Sequence, residues 1–534
     1  MKINKKKLYL FLFFVSTLQS NDDLTSGFDS ILDNMEEDIT FPDYDKEKYT
    51  PERTVKAFTR SCSLDPDGIL PLQDLLMQDI YKFTHPINQR SLLDYPIGYF
   101  FSCLPPSWFC KTWQFSTYAY YNQTSKCNFT KDGTGISSYL NFGIANLIPD
   151  LEEFGLDINI PRVLSLFEDL KLQERRAGVM FGAQRRKNNF YLEFRLPLEY
   201  LIRNFFLNDA EVREIQAEPI FNDQDPGTDD KEEVHRFARE HLIADRLGFG
   251  DTRINIGHIA IDNPRLQFIY GLESTIPTAC SIKKGLYGNH FPKNMRIPKL
   301  DLMGLLDLVG EDIPQAETQG GEFLVGALDR LSRILLETGL GNNGHIGLGL
   351  FTYYDLCVTP KFHFKTRANL EYLFPALEER YYIKRKNPAD FARLENPDPN
   401  NCEEDLAFIE RQLTETFFPM GFTTVVFPGF LFKLSTALTG TMAKYFQIML
   451  GNDIWWQQQE SFGKIFAPPA ELSQLRKNLA IKPGAFQSKA FGSITYYRHG
   501  KCCDWSLSLY GDRTFLRSGI GKDFNLAIRF EMLL

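Results

Sequence analysis

Residues 361–374, KFHFKTRANLEYLF, divide by parity into two chemically different sets. Phe362, Phe364, Thr366, Ala368, Leu370 and Tyr372 form one; Lys361, His363, Lys365, Arg367, Asn369 and Glu371 form the other. A helix would scatter both around its circumference, whereas a strand puts each on its own face. A strand this long, apolar on one side and largely ionisable on the other, suits a wall with lipid outside and a watery lumen inside.

The end of the chain repeats the pattern. In KDFNLAIRFEMLL, Phe524, Leu526, Ile528, Phe530, Met532 and Leu534 alternate with Asn525, Ala527, Arg529, Glu531 and Leu533. With the alternation at 361–374, this resembles the strands of Gram-negative outer-membrane β-barrels. Those chains usually end in an aromatic residue; this one ends in Leu534. The resemblance spans about residues 111–534, names no subfamily, and implies a porin-like membrane protein assembled by the barrel-assembly machinery.

The N-terminus points the same way. Lys2, Lys5, Lys6 and Lys7 precede the apolar run 8–15 and the small-residue stretch 16–20, the order of a secretory signal peptide over residues 1–20. No later stretch offers about 18 apolar residues free of charge. The nearest, 422–438, is interrupted by Pro428, Gly429 and Lys433. An exported chain without spanning helices is periplasmic, secreted or a barrel. A net charge of -9 argues against nucleic acid as a partner. The 46 Phe residues suit a lipid-facing surface, though also a large soluble core.

Of the nine cysteines, Cys62, Cys103, Cys110 and Cys127 are placed to hold an N-terminal subdomain by disulfides, with buried free thiols as the alternative. Residues 21–110 lack sustained alternation and read as a periplasmic extension or a lumen plug. Within them 71–83 has helical spacing at Leu72, Leu75, Leu76 and Ile80.

From residue 111 onward, strands are expected at 113–121, 177–184, 190–199, 252–261, 265–275, 345–354, 361–374, 429–439, 444–450, 488–497, 504–510 and 524–532. Pro197 lacks an N–H and should weaken the end of its strand. Long connections near 122–176, 200–250, 276–344, 375–428 and 451–487 alternate with short turns near 185–189, 262–264, 356–360, 440–443 and 498–503. Short periplasmic turns and long outer loops give this rhythm. Helices are expected inside the long connections at 161–172, at 298–309, and along Leu324, Leu328, Leu331 and Leu335, stopping at Gly339.

The chemical motifs have bland readings. Gly339-Leu340-Gly341-Asn342-Asn343-Gly344 fits GxGxxG, but a helix precedes it and a strand follows, the reverse of a dinucleotide fingerprint. His235 and His241, six apart on an expected helix, do not have zinc-pair spacing. The sequons at Asn122 and Asn128 are chance matches in a bacterial chain. A membrane hydrolase would need a serine tied to His345 or His363, and local sequence ties none. No enzyme activity, cofactor or metal is expected.

The expected fold is mainly β: a transmembrane antiparallel up-and-down β-barrel of about 12 strands, range 10–14, with helix-containing long loops. The competing fold is a soluble secreted α+β protein. The candidate pore-lining residues are Glu193, Arg195, Lys361, His363, Lys365, Arg367, Glu371, Lys433, Arg529 and Glu531. The expected function is passive diffusion of small polar solutes through the bacterial outer membrane, with lipids as surroundings. The alternatives are a closed structural or surface-interaction barrel whose large loops bind partners, then a membrane-embedded hydrolase. Solute and oligomeric state stay open.

Overall fold

The computed structural model describes residues 76–94, 113–126, 138–141, 171–206, 238–279, 297, 313–336, 339–395, 402–498 and 503–533. The wall is a single antiparallel sheet closed on itself. Its strands are β1 (Trp113–Lys126), β2 (Lys171–Lys187), β3 (Phe190–Phe206), β4 (Ile243–Phe249), β5 (Thr252–Asn263), β6 (Leu266–Ile276), β7 (Gly347–Thr359) and β8 (Phe362–Leu373). After two outlying strands, β9 (Ala376–Tyr382) and β10 (Met420–Phe427), come β11 (Gly429–Ala443) and β12 (Phe446–Gln457). Past β13 (Ser461–Ile465), the wall finishes with β14 (Ala485–Arg498), β15 (Asp504–Ser518) and β16 (Lys522–Leu533).

Closure is explicit: β16 pairs with β1 from Gln114↔Leu533 to Lys126↔Lys522, and β1 pairs with β2. Strands β4 and β5 serve as one staved position. Strand β3 pairs with β5 over Phe190–Arg195 and with β4 over Leu198–Asn204. The result is a closed barrel of twelve wall positions.

Pro197 sits in the gap between those two pairings. The strand does not weaken there, as the sequence reading expected, but runs on to Phe206. Lacking an N–H, Pro197 interrupts its neighbour instead, and its carbonyl accepts the Gly250 N–H at 2.9 Å. The stretch 243–249, expected to lie in the long connection and in part in the helix of His235 and His241, is therefore wall; among the described residues a π-turn, Ala238–Leu242, leads into it. The β11–β12 turn also comes later than expected, because β11 continues to Ala443.

The alternation decides inside from outside. On β16, Leu526, Ile528 and Phe530 are exposed, while Asn525, Ala527, Arg529 and Glu531 are buried. On β8, Leu370 is exposed and Lys365, Arg367, Asn369 and Glu371 are buried. This inverts a water-soluble core. The exposed face carries large apolar side chains on strand after strand: Phe181, Phe194, Leu272, Leu350, Leu450, Ile494 and Leu509. Among the described residues no helix is long and apolar enough to cross a membrane.

The end with long connections carries the extra structure. Strands β9, β10 and β13 form a small sheet continuing the directions of β8, β11 and β12 beyond the wall. Helix α1 (Ile313–Leu336) lies in the β6–β7 connection; α2 (Pro388–Glu395) and α3 (Cys402–Phe417) lie in the connection between β9 and β10. Phe323 and Ala327 of α1 bury against Phe418, just after α3. Arg330 and Arg333 of α1 lie over the Tyr381 ring at 5.3 and 5.9 Å. The helix is described to Leu336; in the loop 339–345 the left-handed residues are Asn343 (φ 52°) and Gly344 (φ 90°), not Gly339. The expected helices at 161–172 and 298–309 fall outside the described residues, except that Lys171 and Leu172 open β2. The Cys62, Cys103, Cys110 and Cys127 bridges also fall outside; Cys357 and Cys503 are free thiols.

Candidate functional site

Residues 76–94 run along the long-connection end and into the barrel. Of the helical spacing expected at 71–83, residues 71–75 fall outside the described residues; Leu76 and Met77 are helical, and from 78 to 83 the chain is irregular. The Thr84 N–H donates to the Leu479 carbonyl at 2.9 Å and its hydroxyl donates to the Tyr381 carbonyl at 2.6 Å. Asn88 donates to the carbonyls of Pro483 and Gly519 at 3.0 and 2.8 Å. Deeper still, Arg90 pairs with Asp453 and donates to Gln487 at 3.1 Å. Leu93 and Asp94 end the described segment, fully buried.

Around Asp94 lies a charge cluster built from four strands. Its Oδ1 accepts from Arg253 of β5 and from Lys433 of β11, both at 2.8 Å. Arg253 also reaches Glu371 at 3.2 Å and Glu273 at 3.5 Å. Lys433 reaches Glu273 at 3.1 Å and Glu371 at 3.5 Å. Arg367 joins Glu193 at 3.1 Å, and Glu193 holds Arg195. Two further clusters line the same half: Lys489 between Asp512 (3.1 Å) and Asp523 (2.7 Å), and Glu174 between Arg176 and Arg203. Burying charge is tolerable only with such pairing.

Below this tier the inward positions turn apolar. Tyr118, Tyr120, Met180, Tyr191, Ile259, Ile269, Phe351, Tyr353, Met449, Phe491 and Tyr510 pack into one buried layer, and Leu93 joins it. Arg367 lies 4.9 Å over Phe351, and Arg529 lies 4.8 Å over Tyr118. A second polar tier follows toward the short turns: Arg529 with Glu531, and Asp355 with His363 (3.0 Å) and Lys365 (3.8 Å). The lumen is thus filled by side chains in layers, as narrow barrels are.

Of the sequence candidates, Glu193, Arg195, Arg367, Glu371 and Lys433 come together in the upper tier. Arg529 and Glu531 sit as a separate pair in the lower one, and His363 and Lys365 share Asp355. Lys361 is not among them; it is exposed in the β7–β8 turn, because β8 begins at Phe362. The sequence reading missed Arg90, Asp94, Arg253, Glu273, Asp453 and Lys489. The last four share the inward parity of their strands and were open to the same argument. Arg90 and Asp94 lie outside any strand and carried no periodic signal.

At the long-connection end a cavity of about 540 Å³ opens between the small sheet, the end of α1, the loop 339–345 and the segment 84–94. Asp251 caps that loop, accepting the Asn342 N–H at 2.6 Å. His345 donates from Nδ1 to the Phe374 carbonyl (2.7 Å), and its Nε2 lies 2.7 Å from the Glu378 carboxylate. Arg380 bridges Glu378 and Glu460, each at 2.9 Å, and Lys482 reaches Glu460 at 2.9 Å. Burial alone would raise the Glu378 carboxyl, but Arg380 and the His345 hydrogen bond outweigh it and hold it down at about 2. Burial pushes the His85 imidazole down to about 4, against the Pro86 carbonyl bond. His241, outside the lumen, pairs with Asp329 of α1 at 2.6 Å. Asn122, in one of the sequons, is fully buried and donates to Asp523 at 2.9 Å.

A closed sheet with an oily outside and a paired, charged inside satisfies its backbone without water on its outer face. The chain is a barrel of the outer-membrane type. No family model matches it, and no curated protein matches it. Among solved structures, it is similar to an outer membrane channel from Pseudomonas putida F1, with 8% identity over 82% of this chain and 98% of that one, TM-score 0.39. It is similar to the toluene transporter TbuX of Ralstonia pickettii, with 8% identity over 79% and 90%, TM-score 0.33. It is also similar to a FadL homologue of Pseudomonas aeruginosa, with 7% identity over 85% and 98%, TM-score 0.29. The fold assignment rests on the closed ladder and the inverted burial, not on these distant likenesses.

Proposed function

We propose that this protein is a substrate-selective channel of the bacterial outer membrane, shut in the described state by the segment 84–94. The signal-peptide pattern of residues 1–20 provides for export, and lipid covers the apolar wall. The observation that carries the reading is how the lumen is filled. Above the apolar layer of the wall itself, the upper lumen is filled by a separate stretch of chain, held by ion pairs at Arg90 and Asp94. A segment anchored by polar contacts can leave and let water replace it, and solutes then pass down their gradient past the wall charges.

The second reading is a permanently closed barrel that presents its long connections to a partner. The apolar layer across the lumen favours it. Planar-bilayer recording of the refolded mature chain separates the two. A nearly silent wild type and a conducting Asp94→Ala variant support the gated channel. Silence in both, with each protein folded in detergent, supports the closed barrel.

A further inference from the structure

The cavity at the long-connection end contains polar atoms that nothing in the fold satisfies. Asp94 Oδ2, Asn343 Oδ1, Arg380 Nε and Nη1, and Trp455 Nε1 are buried without a hydrogen-bond partner, and all four residues line this cavity. Asp94, Arg380 and Trp455 are each at most 1% exposed. A buried polar atom left unpaired costs stability, so a convergent set of them around a hollow marks a place where a ligand supplies the missing partners.

The set is two-signed. Arg380 and Trp455 offer only donors, and Arg380 is cationic. Asp94 and Asn343 offer acceptors at their free oxygens, and Asp94 is anionic. A simple anion would meet Asp94 and Glu378, and a simple cation would meet Arg380 and Lys482. A molecule with a carboxylate at one end and an ammonium at the other matches both. The rest of the lining includes Ile87, Leu373, Leu377 and Pro428, which suit apolar side chains.

We infer that this cavity binds a zwitterionic solute of the short-peptide class. Its carboxylate accepts from Arg380 and Trp455, its ammonium donates to Asp94 and Asn343, and its apolar side chains lie on the Ile87 and Leu377 side. The inference deepens the channel reading, which it takes as the reason for a solute site at this mouth. Binding, however, is measurable in detergent whether or not the barrel conducts.

The test is calorimetric titration of the detergent-solubilised full chain with Leu-Leu, N-acetyl-Leu-Leu, Leu-Leu amide and trehalose. Leu-Leu is expected to bind saturably, and each capped peptide at least tenfold more weakly. Trp455→Phe removes one donor while keeping the ring. It should weaken Leu-Leu and N-acetyl-Leu-Leu several-fold and leave Leu-Leu amide unchanged. Absence of saturable Leu-Leu binding, equal affinity for the three peptides, or tighter binding of trehalose overturns the inference. None of these results bears on conductance, so a failed site and a failed channel remain separate outcomes. If Trp455→Phe melts early, the capped-peptide comparison on the unaltered chain decides alone.

Discussion

Removing the Asp94 carboxylate tests whether the segment 84–94 is a gate. Its Oδ1 takes two charged hydrogen bonds, from Arg253 and Lys433, each 2.8 Å long. Such bonds contribute about 1.5–3 kcal/mol apiece, giving a ceiling of about 6 kcal/mol. The cluster's charge balance lowers that. With Asp94 present, three carboxylates face Arg253 and Lys433; without it, Glu273 and Glu371 remain against the same two cations. No buried charge is orphaned, so the penalty for breaking a buried pair does not apply in full. The cost of Asp94→Ala should fall near the low end, about 3 kcal/mol, and it falls on docking of the segment rather than on the wall. That corresponds to about a hundredfold rise in the population with the segment displaced. Single-channel recording should show a comparable rise in open probability, with little change in the midpoint of barrel unfolding. Unchanged open probability, or a barrel destabilised by the full amount with no gain in conductance, would refute the reasoning.

The other predictions test the wall, the lumen and the root of the segment. Ile528 is exposed near the middle of β16, so Ile528→Arg should cost about 2–4 kcal/mol in urea unfolding from lipid vesicles; a loss near zero would mean lipid does not touch that face. Lys489→Ala removes the cation shared by Asp512 and Asp523 and should cost about 3–5 kcal/mol, with part regained in Lys489→Ala/Asp512→Asn; equal melting of the single and double variants would contradict the pairing. His85 titrates at about 4 in the folded chain against 6.5 when free, so the folded form binds fewer protons between those values. The stability it contributes is intact above pH 6.5 and lost as pH falls toward 4, by on the order of 3 kcal/mol. Because His85 lies beside Thr84 where the segment is anchored, proteolysis near residue 84 should accelerate over that range in the wild type and much less in His85→Phe.

Most of the barrel was legible because alternation is a local signal. From Lys361 to Tyr372 neighbouring residues alternate between the two faces, and a two-faced wall explains that over so many positions. The count of about twelve came from the strand candidates, and the loop rhythm agreed with it. Three features escaped. Pro197 looked like a strand end because its missing N–H was charged to its own strand, when the neighbour absorbed the defect. The apolar mid-lumen layer was hidden in plain parity: Tyr191, Ile269 and Ala527 lie on inward positions, where a single strand reads as polar with occasional exceptions. Only aligning the strands side by side stacks those exceptions at one level. Arg90 and Asp94 were invisible because their role comes from contacts more than 150 residues away in sequence, Asp453 for one and Arg253 and Lys433 for the other.

The composition of the filled lumen also bears on how it could open. An apolar filling of equal volume would hold the segment by burial, and exposing it to water would cost about 25 cal/mol for each Å². A paired-charge filling behaves differently. Its attraction is strong while dry, but each charge recovers hydration when the partner leaves, so the open state is not penalised in proportion to area. The upper tier, where Arg90 and Asp94 dock, is of the second kind; the Tyr, Met and Phe layer beneath, which Leu93 joins, is of the first. Displacing the segment therefore rewets the Arg253–Glu371 tier readily but leaves an oily constriction below it. Solutes that can pass such a constriction must carry apolar surface as well as polar ends. That is the same combination offered by the mouth cavity, with Leu377 and Pro428 beside Arg380 and Asp94.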